Sequence, residues 1–264
     1  MSRWLLLVLT LLAPLWSQAA IETKTVEYQQ GDTRLVGYLA YPKEVKEPRP
    51  GVLVVHEWMG LNDYARQRAA QLAELGYVAF AVDIYGDGQV AADRKEAGAL
   101  SSAYKKDRAL LRARVAAGLA TLKAQPGVAS GKVAAMGYCF GGTAVLELAR
   151  SGAEVAGVVS FHGGLDSPAP QDARNIRAKV LVLHGADDPH VPAEQVAGFE
   201  EEMRKGGVDW QLIAYGNAVH GFTNPAHGND NSKGAAYNAA ADARSWLAMR
   251  QFFDEVVGPV KNAP

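Results

Sequence analysis

Cysteine is almost absent from this chain of 264 residues, in which Cys139 is the only one. A single thiol cannot form an internal disulfide, and it cannot make the multi-thiolate cluster of a structural zinc site. An excess of charge is also lacking, because 27 Lys and Arg stand against 28 Asp and Glu, a net charge of −1. Because the chain has no excess of basic residues to bind the phosphates of a polyanion, we expect no nucleic-acid partner.

Long apolar runs are missing beyond the N-terminus, which excludes a later transmembrane helix of the usual length. The first residues differ, since one arginine precedes an apolar stretch that ends near the small residues Ser17 and Ala19. This layout is typical of a secretory signal peptide with cleavage after Ala19. We therefore predict a signal peptide over 1–19 and a single mature domain over 20–264, periplasmic or secreted and without stable membrane insertion. The alternative is an uncleaved N-terminal anchor.

Strand-like runs rich in Val, Ile and Tyr alternate with helical patterns along the rest of the chain. From the third run onward most are continuously apolar, as at 51–55, which is typical of parallel strands covered on both faces. The alternation predicts an α/β-hydrolase type of α/β fold, a doubly wound, mostly parallel sheet of about eight strands with helices on both faces. The predicted strands are 23–29, 35–41, 51–56, 77–82, 132–138, 155–161, 178–184 and 210–215. The predicted helices are 62–75, 101–125, 140–150, 192–205 and 234–256.

The single cysteine lies in a glycine-rich turn after the fifth predicted strand. Gly137-Tyr138-Cys139-Phe140-Gly141 matches the G-x-nucleophile-x-G elbow, with Cys in place of Ser. Such a turn crowds the positions two before and two after the nucleophile, so both are glycine. The thiol then lies at a helix N-terminus, where the helix dipole and free N–H groups favour a thiolate and a developing oxyanion. The alternative is a buried core cysteine on an ordinary turn.

Two further polar residues follow the seventh and eighth predicted strands, in the chain order nucleophile, acid, base. Asp188 directly precedes Pro189, and His220 lies in a Val-His-Gly-Phe segment. Both come just past the carboxyl ends of their strands, where open parallel sheets bind ligands. We predict Cys139 as the nucleophile, His220 as the base and Asp188 as the group that orients His220, with Asp187 as the rival acid.

The remaining histidines do not indicate a metal site. A zinc site needs three converging ligands, and His162, His190 and His227 lack a spacing that would supply them. His184 is interpreted as a structural residue at a strand end. We therefore predict no metal and no cofactor.

These motifs together resemble the dienelactone hydrolase family over about residues 30–255. The resemblance is carried by the elbow, by Asp-Pro-His-Val-Pro at 188–192, by Val-His-Gly-Phe at 219–222 and by Glu57 in a His-Glu-Trp-Met-Gly segment. It implies hydrolysis of a small-molecule carboxylic ester, lactone or thioester. A ligand-binding protein that has lost turnover and an acyltransferase on the same scaffold are the alternatives, and both a monomer and a dimer are compatible with the sequence.

The resemblance also implies roles around the nucleophile. Glu57 stands where the family has a glutamate that helps to take the proton of the nucleophile when substrate binds. The backbone N–H groups of Trp58 and Phe140 correspond to the family's oxyanion hole. Without the family, Glu57 is only a carboxylate at a strand end.

The chain departs from the family where a carboxylate would be held. Family members that act on dienelactone use two arginines; Asn224 stands at one of these positions, and aligning the Ala-Tyr-Lys run at 103–105 places Leu100 at the other. Because a buried carboxylate without a partner costs several kcal/mol, we expect neutral substrates unless Arg94 or Arg108 substitutes.

Aromatic residues near the predicted motifs indicate an apolar binding pocket. The predicted substrate contacts are Tyr85, Tyr104, Phe222 and Asn224, and Trp58, Phe140 and Phe161 are further candidates for its lining.

Overall fold

A computed structural model describes residues 20–260, which build one sheet of eight strands with helices on both faces. The predicted signal peptide over 1–19 lies outside the described residues. Within 20–260, no helix has both the length and the apolar character needed to cross a membrane. The strands are β1 (Ile21–Gln30), β2 (Thr33–Pro42), β3 (Arg49–Val55), β4 (Val78–Val82), β5 (Val128–Tyr138), β6 (Gly157–Phe161), β7 (Lys179–Gly185) and β8 (Trp210–Tyr215). The α-helices are α1 (Asp63–Glu74), α2 (Arg94–Lys106), α3 (Arg108–Lys123), α4 (Phe140–Arg150), α5 (Ala193–Gly206) and α6 (Ala239–Val256).

The strand order β1-β2-β4-β3-β5-β6-β7-β8 confirms the predicted doubly wound sheet. β1 and β2 pair antiparallel, as do β2 and β4, and the other pairs are parallel. The chain leaves β3 towards β4 but leaves β5 towards β6, in opposite directions across the sheet. At such a switch point the following helices lie on opposite faces, and their divergence opens a crevice beyond the carboxyl ends of the strands. Residues after β3 and β5 therefore meet in this crevice.

Both faces of the central strands are buried, which explains their continuous apolar runs. In β3, Leu53 and Val55 pack into the core beneath α3 and α4, whereas Val52 and Val54 pack into the core beneath α1 and α6. Side chains that alternate between two apolar layers leave no polar position in the strand. The sequence pattern is thus a direct consequence of the layered architecture.

The single helix predicted over 101–125 is wrong, because the structure has two helices there. α2 ends and α3 begins at Asp107, whose φ of −105° and ψ of 80° are not helical. Its carboxylate accepts a hydrogen bond of 2.9 Å from the Leu110 N–H and so caps α3. Helical periodicity continues across this break, which is why the pattern alone missed it. Similarly, α6 begins only after Asn238, which caps it, rather than at 234.

A buried ion-pair network fixes the helix that follows Cys139. Arg150, at the end of α4, is fully buried and donates to Glu202 at 2.8 and 2.7 Å and to Glu147 at 3.0 Å. Buried charges are tolerated only when they are paired in this way. The network ties α4 to α5, and so anchors the far end of the helix that begins beside Cys139.

Candidate active site

The cysteine elbow joins β5 to α4 at the switch point. Cys139 lies between the two elements with φ at 53°, a region that few residues other than glycine adopt. A Cβ atom on Gly137 would overlap the carbonyl oxygen of Gly141, and one on Gly141 would overlap that of Val55. The structure thus confirms that glycines are required on both sides of the cysteine, because here the first turn of α4 touches the backbone of both β5 and β3.

Three predicted residues form one continuous hydrogen-bonded line. The Sγ atom of Cys139 lies 3.1 Å from Nε2 of His220, and Nδ1 of His220 lies 2.8 Å from Oδ2 of Asp188. The other carboxylate oxygen of Asp188 accepts the His190 N–H at 2.8 Å, so the carboxylate is held at both ends. Asp187, the rival acid, is exposed. The geometry brings Asp188 rather than Asp187 to the histidine.

The charges around His220 favour its protonated form. Burial by itself lowers the pKa of this ring, but the neighbouring Cys139 and the hydrogen-bonded Asp188 outweigh burial and raise the pKa of His220 to about 10. An imidazolium between a carboxylate and a sulfur atom is the arrangement that activates a thiol for nucleophilic attack.

Glu57 is buried beside the same crevice and is bound by an amide rather than by a cation. One carboxylate oxygen accepts a hydrogen bond of 2.7 Å from Nδ2 of Asn224, and the other has no partner among the described residues. Burial raises the pKa of Glu57, against the opposing effects of His227 and Asn224. The oxygen of Asn224 in turn accepts the Ala226 N–H at 3.0 Å. Both polar atoms of the Asn224 side chain are therefore hydrogen-bonded within the protein. Asn224 was predicted to contact substrate, and its amide is not free to do so.

The loop after β3 is held in a defined orientation. Nδ1 of His56 lies 2.6 Å from the carbonyl oxygen of Glu57, and the hydroxyl of Tyr85 donates to the carbonyl oxygen of Trp58 at 2.7 Å. In a trans peptide the N–H points away from the C=O, so fixing the Glu57 carbonyl also fixes the direction of the Trp58 N–H. Phe140 is the first residue of α4, where helical geometry leaves the N–H without an intrahelical acceptor.

The predicted pocket aromatics divide between the two faces of the sheet. Tyr85 packs against Tyr104 and Phe140 with ring centroids 5.6 and 5.7 Å apart, beneath the loop that carries Trp58. Phe222 and Phe161 belong instead to the core of the opposite face, with 0% and 1% of their surfaces exposed. These two were predicted to line the pocket, and they are too deeply buried to do so. Phe140, a further predicted lining residue, is also only 1% exposed and therefore supports Tyr85 from the core. The aromatic identity of these residues did not distinguish core from crevice.

Neither arginine proposed as a substitute cation is placed for that role. The guanidinium of Arg108 lies 2.6 Å from Asp166 and 3.6 Å from Glu147, so it belongs to the ion-pair network at the far end of α4. Arg94 is exposed at the start of α2. Leu100 is half-buried and packs with Trp58 against the apolar core. Leu100 and Asn224, the two positions at which the resemblance implies arginines, are neutral, and Arg94 and Arg108 do not replace them.

One buried polar residue at the site had no predicted role. His162 follows β6, and its ring lies between the Cys139 N–H and the hydroxyl of Thr223. Its place at a strand end, directly before Gly163 and Gly164, is the sequence feature that indicates a sharp turn there. In the described part of the chain no three His, Cys, Asp or Glu side chains converge as a metal site would require.

A family model, curated relatives and solved structures resemble this chain over most of its length. The model of the dienelactone hydrolase family matches residues 35–257. A solved dienelactone hydrolase-like promiscuous phosphotriesterase from metagenomic libraries is 46% identical, with a TM-score of 0.86 over 90% of this chain and 100% of the other. A Synechocystis protein named "Putative carboxymethylenebutenolidase" is 29% identical over 88% of this chain and 96% of its own. A solved dienelactone hydrolase-like structure from Klebsiella pneumoniae, 24% identical with a TM-score of 0.75 over 89% of this chain and 99% of that one, shares the fold.

Removing either neighbour of His220 is expected to lower the pKa of its ring. Of the two neighbours that raise this pKa, Cys139 has the larger effect and Asp188 the next. In Cys139→Ala or Asp188→Asn one of these effects is lost, while burial still lowers the pKa. The ring should then lose its proton at a lower pH than in the wild type, where it titrates near 10. An NMR titration of the ring, assigned with His220→Gln, measures this. A wild-type ring that titrates at the ordinary value of 6.5, unchanged in both variants, would contradict it.

Proposed function

The chain belongs to the dienelactone hydrolase family, and we propose that it hydrolyses a neutral carboxylic ester, lactone or thioester through a covalent intermediate on Cys139. In this proposal His220 is the base and Asp188 orients it. The observation that carries the proposal is the unbroken line from Sγ to Nε2 at 3.1 Å and from Nδ1 to Oδ2 at 2.8 Å. Family membership supports turnover over a binding protein without catalysis.

The first half of the reaction acylates the thiol. The sulfur of Cys139 attacks the carbonyl carbon, a C–S bond forms, and the carbonyl electron pair moves to oxygen. The backbone N–H groups of Trp58 and Phe140 donate to this oxyanion in the transition state. The intermediate collapses as the bond to the leaving group breaks, and His220 gives that group its proton. The product of this step is a thioester on Cys139.

The second half returns the enzyme to its starting state. His220, now neutral, takes a proton from a water molecule, whose oxygen attacks the thioester carbonyl. The C–S bond breaks, the acid product leaves, and Cys139 and His220 again form the ion pair that the high pKa of His220 favours. Asp188 stays hydrogen-bonded to Nδ1 throughout and keeps the ring in one tautomer.

Glu57 is proposed as a second acceptor beside His220, for the case in which the proton is still on the sulfur of Cys139 when substrate binds. Two features support this role: one carboxylate oxygen has no partner among the described residues, and burial raises the pKa of the group. An unpaired buried carboxylate gains from taking up a proton. The hydrogen bond from Asn224 keeps the other oxygen fixed.

Neutral substrates are favoured because neutral side chains stand where the resemblance implies two arginines that bind a substrate carboxylate. Leu100 is apolar, Asn224 is already bonded to Glu57, and Arg108 is engaged with Asp166 and Glu147. A substrate carboxylate would therefore lose its hydration without gaining a cation. The 46% identical neighbour is described as a promiscuous phosphotriesterase, and a phosphotriester also carries no charge.

Export is proposed on the pattern of residues 1–19. Cleavage after Ala19 would leave Ala20 as the first residue of the mature protein. N-terminal sequencing of protein recovered from its own host tests this. An intact N-terminus on a membrane-bound form would support the anchor instead.

Blocking the thiol is expected to abolish ester hydrolysis. One equivalent of iodoacetamide should remove the activity, because Cys139 is the only cysteine in the chain. Cys139→Ala should be inactive, and Cys139→Ser should retain a small fraction, since a hydroxyl needs stronger base assistance than a thiol. The measurement is hydrolysis of p-nitrophenyl esters, with alkylation counted by mass spectrometry. Full activity in a quantitatively alkylated protein would refute a cysteine nucleophile.

A neutral lactone is expected to exceed its carboxylate-bearing analogue in kcat/KM. One missing charge-assisted contact corresponds to about 1.5–3 kcal/mol, or roughly 10- to 100-fold. Asn224→Arg should narrow this gap by placing a cation beside the crevice, whereas the neutral control Asn224→Gln should not. Paired kinetics on the two lactones provide the test. A wild type that prefers the carboxylate would show that the neutral-pocket argument is wrong.

A further inference from the structure

His162 is a strained and fully buried residue beside the catalytic line. Its φ is 40°, in the left-handed region, and none of its surface is exposed. A side chain in this conformation costs free energy and persists only where the surroundings enforce it. The ring packs edge-to-face on His220 and on Phe222, with centroids 5.4 and 5.1 Å away.

The hydrogen bonds of the ring define its tautomer. The backbone N–H of Cys139 lies 3.2 Å from Nδ1, and since an N–H can only donate, Nδ1 must carry a lone pair. The proton is therefore on Nε2, which donates to Oγ1 of Thr223 at 2.7 Å. Burial, with the nearby His220, His227 and Arg68, holds the pKa of His162 well below its usual value, so the ring stays neutral and keeps this acceptor.

The contact to Thr223 continues into a rigid support. The Oγ1 atom of Thr223 lies 2.6 Å from the hydroxyl of Tyr64, which accepts from Nε of Arg68 at 3.2 Å. Arg68 also donates to the carbonyl oxygen of Thr223 at 2.8 Å and to Asp242 at 2.6 Å. Thr223 belongs to the loop that carries His220, so this loop is anchored to both α1 and α6.

We propose that His162 is a positioning residue that sets the distance between the nucleophile and the base. One ring nitrogen holds the backbone of Cys139, and the other holds Thr223, three residues after His220. The proposal rests on the function proposed above. Neither contact touches substrate, so His162 acts only through the geometry of the Cys139–His220 pair.

A filler of the same shape would not explain both contacts. A phenylalanine ring would also pack against Phe222, but it could neither accept from the Cys139 N–H nor donate to Thr223. The neutral imidazole of His162 does both. The Cys139 N–H also bonds to the carbonyl oxygen of Phe161 at 3.0 Å, so the amide is not left unpaired when the ring is replaced. Loss of His162 should therefore loosen the elbow rather than unfold it.

The test compares His162→Gln with His162→Met. The two side chains have the same length and the same cost at positive φ, but only glutamine can bond to Thr223. His162→Met should lower kcat by roughly 10- to 100-fold with KM changed by less than about threefold, because misplaced reacting atoms slow chemistry more than binding. The rate of Cys139 alkylation should fall as well. The kcat of His162→Gln should be at least about tenfold higher than that of His162→Met.

A second pair of variants decides the matter if the His162 variants do not fold. Thr223→Val removes the hydroxyl that His162 reaches, and Thr223→Ser keeps it. Valine should lower kcat and the alkylation rate, and serine should retain most of both. Thr121→Val removes a hydroxyl bonded within α3 and is the matched control with unchanged kcat.

Three results would overturn the proposal. They are a folded His162→Met with wild-type kcat, equal losses in Gln and Met, and equal effects of Val and Ser at Thr223. Alkylation is measured without substrate, so it tests His162 separately from the proposed function. If Cys139→Ala hydrolysed esters normally, the function would fail while the alkylation comparison still reported on the positioning of Cys139.

Discussion

The close approach of α4 to the backbone of β3 and β5 is the constraint on which the site depends. It forces Cys139 into positive φ and excludes a side chain at Gly137 and Gly141. The same crowding aims the sulfur away from the sheet, into the crevice where the chain diverges after β3 and β5. At the other end of α4, the buried Arg150 pairs hold the helix in place against α5. Strain at the elbow is thus opposed by the packing of a whole helix.

Three histidines around this elbow differ in their pKa because their neighbours differ. Burial lowers the pKa of His56 and of His162, so both remain neutral and serve as paired donors and acceptors for backbone and hydroxyl groups. His220 is half-buried, and a sulfur atom and a carboxylate raise its pKa to about 10. The same residue type therefore provides two neutral hydrogen-bonding supports and one ring whose protonated form is favoured, and the difference comes from the environment of each ring.

The features predicted from sequence are those that local patterns encode. Eight runs rich in Val, Ile and Tyr predicted eight strands, and most runs from the third onward are continuously apolar because those strands are covered on both faces. The glycine spacing predicted the elbow. The break at Asp107 was missed because helical periodicity continues through a residue whose side chain caps the next helix. Asn224 and Glu57 are separated by 167 residues, so no local pattern could show that the amide is bound to that carboxylate. Phe222 and Tyr85 look alike in sequence, and only the layering of the fold separates core from crevice.

The presence of an amide, that of Asn224, rather than a cation beside Glu57 has a physical consequence for this carboxylate. A buried carboxylate beside an arginine is stabilised in its ionised form, whereas beside an amide it keeps only a hydrogen bond, and burial then raises its pKa. Because Asn224 carries no charge, an ionised Glu57 has less electrostatic stabilisation than a carboxylate paired with arginine would have. A buried carboxylate in this state takes up a proton more readily than a paired one does, which is the property that its proposed role as a proton acceptor requires. The same amide, in place of a cation, is the basis of the proposal that the protein acts on neutral substrates.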